Sequence, residues 1–140
     1  MKKLPKELIF TQDFGTYTTQ MLVVVGVTDK QKVFRYLKKV KASVDFSKWM
    51  LTDFDDLKES ITKKNLGLFC WNYKVEGIVL MLREPVDSWN YWEILMHETH
   101  HVVQWFAKQK GMFEEPEGQA YLFEYLFHSI RRKLQGIDPI

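Results

Sequence analysis

The chain has 140 residues, 46% apolar, 15% aromatic and 27% charged, with a formal net charge of +2. That length holds one domain with a full core and leaves little for a second, and the composition excludes a disordered chain. No broad basic excess points to nucleic acid. Lys38-Lys39 and Arg131-Arg132-Lys133 sit on helix-like segments and read as solvated faces. Cys70 is the only cysteine, so an intrachain disulfide is excluded, and in its apolar run it reads as a small buried hydrophobe. The basic Met1-Lys2-Lys3 is followed by Pro5, Lys6 and Glu7 rather than by an apolar run, and no stretch has the apolar length of a bilayer span. The expected setting is the cytoplasm, with neither membrane nor nucleic acid as partner.

Residues 1–14 carry weak signals. Tyr17–Val27 is rich in β-branched and aromatic residues and reads as a strand. Thr28-Asp29 offers a cap to a helix whose apolar positions are Val33, Phe34, Leu37 and Val40. Residues 43–65 mix aromatics with acids, and read as a loop followed by a short helix capped by Thr52 or Asp53. Leu66–Tyr73 and Gly77–Arg83 read as a hairpin turning on the intervening Lys-Val-Glu-Gly, with Pro85 stopping the second strand. Asp87 or Ser88 can cap a helix from Trp89 to Lys110 that ends at Gly111. Pro116 suits the first turn of a last helix reaching about Leu134, with Gly136 beyond it. The expected class is α+β in one domain, 1–140. A small antiparallel sheet (hairpin 66–83 plus strand 17–27) packs on helices 89–110 and 116–134. Trp89, Tyr91, Trp92, Trp105 and Phe106 are expected in the core, some of them walling a cleft.

Three of the four histidines fall in His97-Glu98-Thr99-His100-His101. Residues i and i+4 of a helix share a face, so His97 and His101 can present two imidazoles to one ion. Zn²⁺ takes neutral imidazole nitrogen at about 2.0–2.1 Å and lowers the pKa of its water toward about 7. Glu98, beside the first ligand, can take the proton as that water attacks a carbonyl carbon. A catalytic zinc also needs a third protein ligand. Glu117, opening the last helix, is the candidate, and Glu114 and Glu115 lie in the loop before it. Glu124, further along the same helix, is a candidate to accept the free N–H of a ligand histidine. Tyr121 and Tyr125 could stabilise an oxyanion, or pack on the neighbouring helix. His100 could flank the site, and His128 is more distant. Zn²⁺ suits two imidazoles and a carboxylate, although Mn²⁺, Co²⁺ or Ni²⁺ could occupy such a site.

These residues resemble the zincin metallopeptidases, and within them the gluzincin branch, whose third ligand is a glutamate on a following helix. The HETHH stretch matches the H-E-x-x-H signature, and Glu117-Gly118-Gln119-Ala120 is similar to the E-x-x-A element that carries that glutamate. Tyr121 stands where those families often place Asp, and the longer metzincin signature is absent. The resemblance spans residues 66–128. It implies a zinc-dependent peptidase in which the strand Gly67, Leu68, Phe69, Cys70, Trp71, Asn72 forms the cleft edge and holds a peptide or protein substrate by strand addition. It leaves room for a protein partner that completes the cleft. Short proteins of phage and prophage gene sets look similar, so a second expectation is a zincin-like binding or assembly module with weak or no turnover.

Overall fold

A computed structural model describes residues 4–63, 67–111 and 115–140. Met1-Lys2-Lys3, Leu66 and Glu114 lie outside them. The elements are β1 (Leu8–Phe14), β2 (Tyr17–Val25), α1 (Lys30–Lys39), α2 (Val44–Lys63), β3 (Gly67–Asn72), β4 (Gly77–Leu82), α3 (Trp89–Lys110) and α4 (Pro116–Leu134). The class is α+β.

The sheet has the order β1-β2-β4-β3. β1 pairs antiparallel with β2, and β3 antiparallel with β4, but β2 and β4 run parallel, with Leu22 opposite Val79 and Val25 opposite Leu82. The expected antiparallel sheet is therefore corrected to a mixed one. The cause is the connection. α1 and α2 lie between β2 and the β3–β4 hairpin, and a crossover of that length lets β2 and β4 run the same way. β1 is an addition to the expected strands. Its pattern is hard to read because Gln12, between Phe10 and Phe14 on the inward side, is fully buried.

Residues 44–63 form one long helix rather than a loop and a short helix. The Ser43 hydroxyl accepts the Phe46 N–H at 3.1 Å and caps its start. Met50, Phe54 and Ile61 then bury a stripe at helical spacing. Asp53 caps nothing, and its carboxylate accepts the Trp49 indole N–H at 2.8 Å from one turn away. The expected hairpin is present, with a single 3-10 turn at Tyr73–Val75 and Glu76 left-handed at φ 50.

β2 and β4 are buried on both faces. Met21, Val23, Val25, Ile78, Leu80 and Leu82 point toward α3 and α4. Leu22, Val24, Val79 and Met81 point toward α1 and α2. Ser88 caps α3, accepting the Tyr91 N–H at 3.3 Å, while Asp87 accepts the Trp92 indole N–H at 3.0 Å. Gly111, at φ 68, closes the helix in the left-handed conformation that glycine adopts without strain. α4 buries Leu122, Leu126, Phe127, Ile130 and Leu134. The basic run at its end is only partly a solvated face. Arg131 lies over Trp92, Lys133 reaches buried Gln12 at 2.9 Å and covers Phe10, and Arg132 pairs with Asp138. Among the described residues no helix is long and apolar enough to cross a membrane.

Candidate metal and peptide site

α3 lies along the sheet with Leu95, Glu98, Thr99, Val102, Val103 and Phe106 buried. Thr99 tucks its hydroxyl back onto the Leu95 carbonyl at 2.6 Å. His97 and His101 stay exposed one turn apart. Their rings are perpendicular, 4.6 Å between centroids, and their Nε2 atoms approach to 3.0 Å. Two neutral imidazoles can share a proton across that gap, or both can turn their lone pairs to one cation. Two nitrogens on a tetrahedral zinc lie about 3.3 Å apart at the usual bond lengths. The pair is therefore close to what one ion requires.

Glu98 is 8% exposed although it is a carboxylate. β3 passes directly over it. A Cβ added at Gly67 would come within 2.9 Å of Glu98 Cγ and 2.9 Å of Leu82 Cδ2. Glycine at the start of β3 thus makes room for the carboxylate between strand and helix. β3 is the terminal strand of the sheet. Gly67, Phe69 and Trp71 line a cleft of about 750 Å³ together with His97, Glu98, His101, Gln104, Trp105 and Lys108 of α3. Leu68 also borders it, although it packs mainly with Cys70 against the α2 face. Burial pushes the Cys70 thiol up to about 12, reinforced by the charge of Asp53, so it is an inert packing group and no nucleophile. Asn72 turns its side chain to the Lys74 N–H at 3.0 Å, serving the turn rather than the cleft.

The other expected residues are more scattered. Glu117 is exposed in the first turn of α4 and does not line the cleft. Gln119 does. Residues two apart on a helix point about 200° away from each other, so Gln119 joins the inward stripe and Glu117 the outward face. Tyr121 and Glu124 share that outward face, and Tyr121 is 67% exposed. Tyr125 is drawn to the β1–β2 turn, where its hydroxyl donates to Asp13. That bond and the Gly15 N–H hold the Asp13 carboxyl below its ordinary value, and Asp13 in turn raises Tyr125. His100 and His128 are exposed and away from the cleft lining, His128 with its ring 5.5 Å from that of Phe127. Of the expected core aromatics, Tyr91, Trp92 and Phe106 are buried, Trp89 is exposed, and Trp105 walls the cleft. Gln104, Lys108 and Gln119 were not anticipated. For the first two, spacings of three and seven residues from His101 on one helix face were the available signal.

Among the described residues no three His, Cys, Asp or Glu side chains gather as a metal-binding group. A catalytic zinc takes three protein ligands, and the described residues bring together only the two imidazoles of His97 and His101. Comparison with protein-family models, with curated proteins and with solved structures returns no match, so the zincin resemblance rests on these residues alone.

Proposed function

We propose that this chain is a zinc-dependent peptidase of minimal gluzincin type. The observation that carries the reading is the convergence of the His97 and His101 Nε2 atoms to 3.0 Å beside a buried carboxylate, Glu98, under a terminal strand. His97 and His101 would hold the ion. Glu117, on the outward face of α4, does not converge on them, so a third donor would come from water or from a protein partner that completes the cleft. A bound zinc would supply Lewis acidity and lower the pKa of a water toward about 7. Glu98 accepts that water's proton as its oxygen attacks the peptide carbonyl carbon, and returns it to the leaving amine as the C–N bond breaks. Burial under β3 keeps Glu98 in one place for both transfers. The free edge of β3 pairs with the substrate backbone. A reducing, cytoplasmic setting suits a chain with a single cysteine.

One observation favours a second reading. The α4 side chain in the cleft is the neutral Gln119, while Glu117 faces solvent. A zincin-like binding or assembly module would have no need of the third acid. The two readings separate in one assay on an unfolded protein substrate with zinc present, comparing wild type with Glu98→Gln. The peptidase reading expects metal retained in both and turnover lower by about 10²–10⁴-fold in the variant. Equal cleavage by both, or none by wild type, removes it.

A further inference from the structure

The cleft continues away from the histidines as a wall of rings. Phe69 and Trp71 on β3 meet Trp105 on α3 with centroids 5.7 and 6.1 Å apart, and Tyr73 extends the series 6.3 Å from Trp71. Gln109 anchors the Tyr73 hydroxyl at 3.0 Å. Trp71 is 44% and Tyr73 61% exposed. A second cavity, of about 600 Å³, opens on the far side of the same Trp71, Tyr73 and Trp105. Trp71, Tyr73 and Trp105 therefore line both cavities, and the row of rings carries on from the cleft into the second one.

β3 and α3 run side by side in the same direction. Gly67 sits at Glu98, Phe69 and Trp71 at Trp105, and Tyr73 at Gln109. From His97 to Gln109 the helix advances about 18 Å at about 1.5 Å per residue. An extended peptide covers that in roughly five or six residues. Trp105 is seven residues beyond Glu98, about 10 Å, or about three residues of extended chain, and along β3 Phe69 and Trp71 lie two and four residues past Gly67. Successive side chains of a strand alternate, so a peptide paired to β3 lays every second side chain over the rings.

We infer that Trp71, with Phe69 and Trp105, is the specificity determinant of this site, and that it selects peptides with a large apolar side chain, aromatic above all, about two to four residues from the bond held at Glu98. The inference rests on the peptide-binding part of the proposed function. Ring-on-ring packing favours an aromatic over an alanine by about tenfold. Lys108 and Gln104 at the rim leave the floor apolar while wetting its border. A hydrophobic contact patch ringed by polar groups is the usual anatomy of a recognition site.

The test uses the full chain carrying Glu98→Gln, so that nothing is cleaved, with zinc present. Capped hexapeptides identical except for one scanned position, bearing Phe, Leu, Ala or Asp, are titrated by calorimetry. The expected result is one position at which Phe binds about tenfold more tightly than Ala and Asp most weakly. Trp71→Ala brings the Phe-to-Ala ratio close to one, and Trp71→Phe, which keeps a ring and controls for folding, preserves it. Undetectable binding of every peptide, no discrimination at any position, or full discrimination in a folded Trp71→Ala protein overturns the inference. Failure of the peptidase reading looks different: the Phe preference persists in binding, but wild type shows no Glu98-dependent cleavage.

Discussion

The two faces of the sheet are packed for different ends. Toward α1 and α2 the strands present Leu22, Val24, Val79 and Met81, met by Val33, Leu37, Met50 and Phe54. No carboxylate is buried there among the described residues. Toward α3 and α4 the core is larger and richer in rings, yet it accepts Gln12, Glu98 and Thr99. Burying a carboxylate costs stability unless something compensates it, and a face built only for packing would have no reason to do so. The contrast is the reason for placing the proposed chemistry on α3, where a strand starts with glycine and leaves room for Glu98. The other face serves as the rigid support behind it.

The largest effect expected from that division is on stability alone. Phe54→Ala, fully buried on the α1/α2 face, should lower unfolding free energy in urea by about 3–5 kcal/mol. Zinc affinity and peptide binding of the remaining folded protein should be unchanged. A loss of site function in protein that is still folded would show that the two faces are not separable.

The opposite case is Gly67→Ala. Its Cβ would press on Glu98 Cγ and Leu82 Cδ2, both at 2.9 Å, so these buried side chains must shift. Turnover should fall by about tenfold or more, while stability falls by no more than about 1–3 kcal/mol. Unchanged turnover would detach Glu98 from the chemistry.

α3 and α4 were legible because their ends carry explicit chemistry: Ser88 and Gly111 for one, Pro116 for the other. α2 was not, because its Asp and Thr residues read as breakers when seen singly. Its inward stripe of Met50, Phe54 and Ile61 shows only over about three turns. The parallel pairing of β2 with β4 depends on what lies between them in space, and local periodicity carries no record of it. At the site, His97, Glu98, His101 and the strand from Gly67 were legible through spacing and order. The partition of Glu117 and Gln119 was not, because it depends on how α4 is rotated against α3. The clearest hint was the continuation of Leu122, Leu126 and Ile130 back to position 119.

Two smaller effects sharpen the contrast. Ser88→Ala removes the cap of the helix that carries the histidines and should cost about 1 kcal/mol, read as a lower urea midpoint with an unchanged slope. Smallest is the link between β1 and α4. Tyr125 holds the Asp13 carboxyl below its ordinary value, so this contact contributes stability above the unfolded carboxyl's pKa and loses it as pH falls through the lowered folded value. Tyr125→Phe should move the Asp13 titration, followed by NMR, back toward ordinary and flatten the acid side of the stability profile. An unmoved titration would mean the hydroxyl does not hold that carboxylate in solution.

The central claim is that His97 and His101 grip one divalent cation together. Zinc titration by calorimetry, of wild type and of His97→Ala and His101→Ala, tests it most directly. The expected result is one ion per chain for wild type and an affinity loss of at least about 100-fold in either variant, with the fold intact. It is contradicted if wild type takes up no zinc, or if either histidine can be removed without changing the affinity.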